Sequence, residues 1–246
     1  MAIKLDAAGV NAKVDHPIVD GDAHVLEARL TLLDYVKKIA GPEIALKFEN
    51  MEHPWKYQDV QPIFWGMPSG AHSIDRATAM LPKLFKERLD EAGIDVGIVY
   101  STACLPLMHV RDDELRQVGH RALNHLLADI FNEVGDRLIP NAVIPMFSPE
   151  EAIAELDHAV NELGFKAAVF GTEVRLPIPE VAAKDPDLAK YTQRIYPVAL
   201  DALHDYDPVW QRCMDLKIPV GAHTACRGGG ARHSSPSNFV FNHLGG

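Results

Sequence analysis

The sequence predicts an α/β protein built on a parallel sheet covered by helices. Apolar runs typical of buried strands alternate along the chain with segments of helical periodicity, the pattern of repeated strand-then-helix units. Polar side chains able to bind a metal stand at the ends of two such strands, far apart in sequence. Because barrel active sites form at the carboxyl ends of strands, a (β/α)8 TIM-type barrel is favoured over a doubly wound sheet. A doubly wound fold more often shows a glycine fingerprint after its first strand, and this sequence has none.

The first strand ends in the acidic segment 20–24 (DGDAH), after a short apolar lead-in. Alternate residues of a strand share a face, so Asp20, Asp22 and His24 are expected to converge on one spot. Asp22 and His24 are candidate metal ligands, because polar side chains on one face are costly to bury without a partner. Asp20 is expected to accept a hydrogen bond and to orient a ligand histidine. The alternative is a strand-end turn with solvated polar groups.

A long segment, residues 26–93, follows the first strand and is interpreted as an insertion. It ends in a helix near residues 77–92. Two interpretations stay open: a lid that supplies an aromatic wall to a pocket, or an insertion whose aromatic side chains serve its own packing. The aromatic and histidine residues concerned are Trp55, Tyr57, Phe64, Trp65 and His72.

Three helices are predicted between the later strands. Residues 112–137 carry apolar side chains at three- and four-residue steps, the period of a helix with one buried stripe. A capping box with proline at the first helical position opens the next helix at Ser148, and Gly164 ends it. Asp207 and Pro208 open the last. The predicted strands cover residues 96–102, 138–146, 165–172, 218–225 and 238–243.

The run 218–223 (IPVGAH) is a buried-strand pattern that ends in His223. Nitrogen and oxygen ligands from two strand ends are what a catalytic divalent metal needs, with one position left open for water. Such mixed ligands suit zinc, and manganese is the second candidate as carboxylates increase in number. A core histidine bonded to backbone is the alternative for His223. Other histidines, among them His120, His125 and His158, lie on helical patterns and are expected at the surface.

Composition narrows the class of protein. At 246 residues and 47% hydrophobic, the chain 1–246 can form one large domain. No apolar run approaches the roughly 20 residues that a membrane span needs, and no secretory signal is expected. Three widely spaced cysteines without a CxxC pair predict a reduced, cytoplasmic protein. A net charge of -10 argues against nucleic acid or an anionic membrane as partner, so a small-molecule substrate is expected.

The count of strands falls short of a closed barrel. About six strands are predicted, whereas a closed barrel of this type has eight. The sequence stops at residues 243–246, directly after a strand. We therefore expect a truncated barrel that lacks its C-terminal part. An open barrel exposes two sheet edges, which favours pairing with another chain and leaves a homo-oligomer as an open alternative.

Several motifs, taken in order, give the chain a resemblance to the amidohydrolase superfamily, in its branch of metal-dependent hydrolases and decarboxylases. That family begins its barrel with Asp-x-His-x-His, whose two histidines bind the metal. The resemblance covers most of the chain from about residue 16. The motifs are the segments 20–24 (DGDAH), 93–96 (GIDV), 207–210 (DPVW), 218–223 (IPVGAH) and 242–246 (NHLGG).

The resemblance implies roles for named residues. Asp22 stands where the family has its first ligand histidine, while His24 and His223 match the second and third ligands. Some decarboxylases of the branch also carry a carboxylate at the first position. His243 matches a histidine that contacts substrate or reacting water, which implies a catalytic role. Lys166 stands at the start of its strand, too far from the position of the lysine that bridges two metals, so one metal is implied. The family's eighth-strand aspartate has no counterpart here.

The implied activity is that of a metal-dependent decarboxylase or hydrolase acting on a small carboxylic acid. The carboxylate at Asp22 and the aromatic insertion favour decarboxylation of an aromatic or unsaturated acid, with a metal holding the substrate carboxylate and an adjacent oxygen. Two alternatives stay open. One is hydrolysis of a small ester, lactone or amide, and the other is a non-catalytic truncated barrel that binds metal weakly or serves in assembly.

Overall fold

The computed structural model describes residues 7–51, 73–189, 191–198 and 202–223, in which helices alternate with strands. The strands are β1 Val19–Val25, β2 Val96–Ser101, β3 Leu138–Pro140, β4 Ala142–Ile144, β5 Ala168–Gly171, β6 Glu173–Leu176, β7 Arg194–Pro197 and β8 Val220–His223. The α-helices are α1 Ala7–Asn11, α2 Arg29–Glu49, α3 Ser73–Met80, α4 Pro82–Ala92, α5 Cys104–Leu107, α6 Asp113–Phe131, α7 Pro149–Asp157, α8 Pro179–Ala182, α9 Pro186–Ala189 and α10 Asp207–Leu216, and a π-helical turn spans His158–Glu162.

The strands form two parallel sheets of three and one antiparallel pair. The parallel sheets have the orders β1-β2-β3 and β4-β5-β8, and β6 pairs with β7. Five of the predicted strands, including the first, are confirmed, although the run 138–146 is divided into β3 and β4 at Asn141. The predicted strand 238–243 lies outside the described residues. The result is a mixed α/β protein with partial parallel sheets, as the alternating pattern predicts.

The predicted helices are present, with three changes, the first of which is that the helix predicted over 112–137 ends at Phe131. The Asp112 carboxylate accepts from the Leu115 backbone N–H at 2.9 Å to open α6, and the Ser148 hydroxyl caps α7 in the same way. The helix predicted near residues 77–92 is two helices, because Pro82 starts a new one. The helix predicted from Ser148 to Gly164 changes to a π-helical turn in its second half.

The described part of the segment 26–93 consists of helices α2, α3 and α4. α2 packs across α6, where Gly119 permits close approach, since a Cβ there would lie 2.8 Å from the Phe48 ring. The aromatic residues at positions 55–65 and His72 lie outside the described residues, so their role as a lid or as local packing stays a prediction. Within the described ranges, none of the helices combines the length and apolarity that crossing a membrane requires.

Two buried asparagines bond the backbone where the chain passes from one parallel sheet to the other. The Asn141 backbone N–H and side-chain amide both donate to the Val99 carbonyl of β2, at 2.9 and 3.1 Å. One residue further on the chain pairs with β5 instead. The Asn124 side chain of α6 then bonds both backbone groups of Val143, accepting from its N–H at 2.7 Å and donating to its carbonyl at 3.0 Å. Backbone groups in β4 that lack a strand partner at this break are thereby satisfied.

We expect Asn124→Leu to lower the free energy of unfolding by about 2–4 kcal/mol, because it leaves the buried N–H and carbonyl of Val143 without partners. Urea denaturation followed by circular dichroism measures the change. Asn132→Leu, at the exposed end of the same helix, is the matched control and should cost less than about 1 kcal/mol. Equal losses in the two variants would show that Asn124 does not support the backbone of β4.

Candidate metal centre

The structure brings the three predicted metal ligands together. Asp22 and His24 lie in β1, and His223 is the last residue of β8. The Asp22 Oδ1 atom is 3.6 Å from His24 Nε2 and 3.6 Å from His223 Nε2. One possible ligand atom from each residue lies within 4.8 Å of the other two. The two imidazole rings are 5.2 Å apart between centroids and nearly perpendicular, at 80°.

The strand register explains this convergence. His24 stands beside Tyr100 of β2, and His223 beside Gly171 of β5, so each imidazole is at the carboxyl end of a parallel pair. Carboxyl ends of parallel strands lie at one edge of a sheet, where barrel active sites form. The histidine side chains are 19% and 16% exposed, while the Asp22 side chain is 74% exposed. The cluster therefore has a shielded imidazole side and a carboxylate side open to solvent.

The donor set and its spacing fit a divalent metal. A metal about 2.0–2.1 Å from each tetrahedral ligand places neighbouring ligand atoms roughly 3.3 Å apart. The observed 3.6 Å separations are within a few tenths of an ångström of that value. Two imidazole nitrogens and one carboxylate oxygen suit zinc, and manganese accepts the same atoms. Three protein ligands leave coordination positions for water or substrate.

Burial keeps the His24 imidazole in the form that a metal needs. Desolvation lowers the pKa of His24, and the nearby His223 lowers it further, while the charges of Asp22 and Asp20 oppose the shift. The imidazole is therefore neutral near pH 7 and keeps a nitrogen lone pair. Metal binding requires this neutral form.

Thr102 orients the His24 ring. Its hydroxyl lies 3.3 Å from His24 Nδ1, and the residue is only 5% exposed. A contact at Nδ1 turns Nε2 toward Asp22, as a supporting hydrogen bond does for many metal-binding histidines. Thr102 was not among the predicted site residues. The available signal was its position as the last residue of the predicted strand 96–102.

Side chains in the first half of β1 do not alternate regularly between the two faces of the sheet, contrary to what the sequence analysis assumed. The pairing with β2 shifts register between Asp20 and Ala23, which places an extra residue in β1. Within this bulge the Asp22 backbone N–H donates to Asp20 Oδ1 at 3.0 Å. Asp20 therefore holds the backbone of Asp22 in place. Its predicted hydrogen bond to a ligand histidine stays a prediction.

Tyr100 is a further residue of the centre that the sequence analysis missed. Its ring centroid lies 6.0 Å from that of His24 and 5.4 Å from that of His223. Burial and the charge of Asp22 raise the pKa of the Tyr100 phenol, so the hydroxyl keeps its proton and can donate a hydrogen bond. The hydroxyl occupies space over β8, because a Cβ on Gly221 would lie 2.6 Å from it.

Glu27 is a buried carboxyl group that supports the turn after β2. It is 5% exposed, and its Oε2 accepts from the Ala103 backbone N–H at 2.9 Å. Burial raises the pKa of Glu27 to about 7, although the Ser101 hydroxyl and nearby amides oppose the shift. The turn carries Thr102, so Glu27 contributes to the position of the His24 support.

Two other predictions about histidines have different outcomes. His243, the predicted catalytic residue, lies outside the described residues and stays a prediction. His120 was expected at the surface, and this is wrong: it is fully buried, with Nδ1 2.8 Å from the Arg116 carbonyl. Its helix is covered by α2, which the apolar periodicity of α6 alone does not reveal.

A profile of the Amidohydrolase family matches residues 53–246, which is most of the chain. The chain belongs to this amidohydrolase family. The matched segment includes His223, whereas Asp22 and His24 precede it. A comparison with curated protein sequences gave no match.

Two solved structures show the same fold at low sequence identity. One is a 5-carboxyvanillate decarboxylase from Novosphingobium aromaticivorans with bound manganese and 3-methoxy-4-hydroxy-5-nitrobenzoic acid. It shares 15% identity and a TM-score of 0.52, over 86% of this chain and 51% of that chain. The other is an amidohydrolase from Mycobacterium avium subsp. paratuberculosis, with 17% identity and a TM-score of 0.57, over 94% of this chain and 64% of that chain.

The family match and these two structures imply a TIM-barrel-like fold for this chain. The chain spans about half the length of the decarboxylase that it matches. The prediction of a barrel-type α/β fold is therefore confirmed at the level of the fold. The presence of eight strands in the barrel and the activity of the whole protein belong to the proposals below.

We expect Gly221→Ala to destabilise the protein by about 1–3 kcal/mol, because the new Cβ would collide with the Tyr100 hydroxyl. The double variant Tyr100→Phe/Gly221→Ala should recover most of the loss, since the next ring atoms would be 3.4 Å away. Urea denaturation of the four proteins measures this coupling. Gly135→Ala is the control, because its nearest contact would also be 3.4 Å. A double variant no more stable than Gly221→Ala would contradict the contact.

Glu27 should make stability depend on pH. Its pKa is raised from 4.5 to about 7 on folding, so the folded state retains a proton that the unfolded chain loses in this range. Stability therefore falls as pH rises from 4.5 to 7, by about 2–3 kcal/mol. Glu27→Gln removes this dependence, so its stability relative to the unaltered chain should rise over the same window.

The measurement is urea denaturation at several pH values in the presence of EDTA. Glu87→Gln, which changes an exposed carboxylate, is the control and should show a smaller change. A constant difference between Glu27→Gln and the unaltered chain across this pH range would rule out the proposed titration.

Proposed function

We propose that this amidohydrolase is a metal-dependent carboxy-lyase for a small aromatic or unsaturated carboxylic acid, with Asp22, His24 and His223 as ligands of one divalent metal. The observation that carries the proposal is the convergence of one carboxylate and two imidazoles at the ends of β1 and β8. The fold shared with a manganese-containing decarboxylase of an aromatic acid supports the substrate class. Zinc and manganese are both proposed metals. The six parallel strands are proposed to belong to an eight-stranded barrel.

A bound divalent metal would supply a positive charge that holds a substrate carboxylate and a neighbouring oxygen. The residues of the chain position the reactants around it. Thr102 keeps the His24 ring in its ligand orientation, and the open side at Asp22 admits the substrate. The Tyr100 hydroxyl, next to both imidazoles, donates a hydrogen bond to a substrate oxygen. Such a donor is effective where water is partly excluded.

Loss of carbon dioxide leaves a carbanion that needs a proton. We assign either protonation of this carbanion or contact with the substrate to His243. The assignment rests on the sequence motif alone. The pKa of the Tyr100 phenol is raised, so Tyr100 acts as a hydrogen-bond donor in this scheme and does not titrate near pH 7.

Hydrolysis of a small ester, lactone or amide is the second candidate. It is favoured by the family to which the chain belongs and by the amidohydrolase of the same fold. The same three residues would hold the metal, which when bound would lower the pKa of water for hydrolysis. Release of carbon dioxide separates the first candidate from the second. Metal binding without either reaction would favour a non-catalytic role for the 246-residue chain.

The test is metal content and activity of the 246-residue chain and of His223→Gln. We expect about one equivalent of manganese per unaltered chain after dialysis and almost none in His223→Gln, which loses one of three ligands. Manganese suits this measurement because isolated imidazoles bind it weakly. His16→Gln, which changes an exposed histidine, should retain the metal.

Carbon dioxide release from 5-carboxyvanillate and related hydroxybenzoates is then compared between the proteins. A folded His223→Gln protein with an unchanged manganese content would refute the ligand assignment. Intact metal binding without carbon dioxide release would refute the carboxy-lyase assignment alone.

A further inference from the structure

A second pair of close histidines lies outside the candidate metal centre. His125 is on α6, and His158 is the first residue of the π-helical turn after α7. Their Nε2 atoms are 3.1 Å apart, and their ring centroids are 5.1 Å apart. The corresponding centroid distance between His24 and His223 is 5.2 Å. The two pairs therefore present their imidazoles to each other at nearly the same separation.

The backbone and neighbouring side chains hold this pair in place. Glu155 of α7 accepts hydrogen bonds from Asn124 and Arg121 of α6, both at 2.8 Å, and so links the two helices beside the pair. The Leu163 N–H bonds the His158 carbonyl five residues earlier, which widens the turn at His158. Such π-helical turns frequently occur at functional sites. The spacing of the imidazoles is thus set by packed elements and not by free side chains.

The charged groups around the pair are Arg121 and the carboxylates of Asp129, Glu155 and Glu162. Burial and the charge of Arg121 lower the pKa of both imidazoles, whereas Asp129 acts in the opposite sense on His125 and Glu162 on His158. Both rings are accordingly neutral near pH 7, as metal binding requires. Glu155 pairs with Arg121 at 2.8 Å, which reduces the net positive charge beside the two rings.

We propose that His125 and His158 form a second site, for a divalent transition-metal ion that prefers imidazole, such as zinc, nickel or copper. A metal about 2.0–2.1 Å from two tetrahedral nitrogen ligands sets them roughly 3.3 Å apart, which requires a shift of only a few tenths of an ångström from 3.1 Å. Water completes the coordination, because both histidines are only half-buried. The bound ion joins α6 to the π-helical turn and stabilises the folded state.

The experiment is zinc binding to the 246-residue chain, measured by equilibrium dialysis near pH 7.5. His125→Gln and His158→Gln should each bind one equivalent less than the unaltered chain, and the zinc-induced rise in melting temperature should shrink. His204→Gln, which removes a half-buried imidazole elsewhere, should bind as much zinc as the unaltered chain. Circular dichroism without metal verifies that each variant is folded, and either histidine variant alone suffices for the test.

The second site is independent of the proposed function. His223→Gln should still bind one equivalent of zinc at the second site, whatever happens at the first site. Adding His158→Gln should remove that equivalent. Unchanged zinc stoichiometry and an unchanged melting-temperature shift in either folded variant, His125→Gln or His158→Gln, would overturn the proposal. In that case the pair is a hydrogen bond between two imidazoles.

Discussion

The candidate metal centre is divided between two sheets, and the side-chain amides of Asn124 and Asn141 fix the backbone where the chain passes from one sheet to the other. Asp22 and His24 belong to the first sheet, and His223 belongs to the second. Where the chain passes from β3 to β4, Asn141 bonds Val99 of the first sheet and Asn124 bonds Val143 of the second. The 3.6 Å ligand separations thus depend on polar groups in the core that touch no ligand.

The centre combines opposite environments on its two sides. Its imidazoles are shielded, and desolvation keeps His24 neutral, while the Asp22 carboxylate faces solvent. Neutral nitrogen ligands and an ionised oxygen ligand are the protonation states that a divalent metal selects. The same arrangement gives a substrate access from the carboxylate side. Tyr100 then limits the depth of the site, because its ring lies against both imidazoles.

Support for the ligands comes from the residues that follow β2. Thr102 contacts His24, and the buried Glu27 holds the adjoining turn through Ala103. Glu27 lies two residues after β1 and holds the turn that follows β2. Thr102, in that turn, contacts His24 of β1. A buried carboxyl with a pKa near 7 makes this support sensitive to pH, which links the stability of the turn to the geometry of the centre.

The sequence by itself determined the α/β class, the four strands from 96 to 223 and the ligand candidates Asp22, His24 and His223. Alternating apolar runs and polar strand ends are local patterns, so they can be found without a structure. Tertiary structure alone decided the break at Asn141, the bulge in β1 and the roles of Thr102, Tyr100 and Glu27. Each of these depends on a neighbour far away in the chain: the register of β1 on β2 places Tyr100 beside His24, and helix packing buries His120. Such pairings have no local signature, because they arise only when separate strands and helices meet.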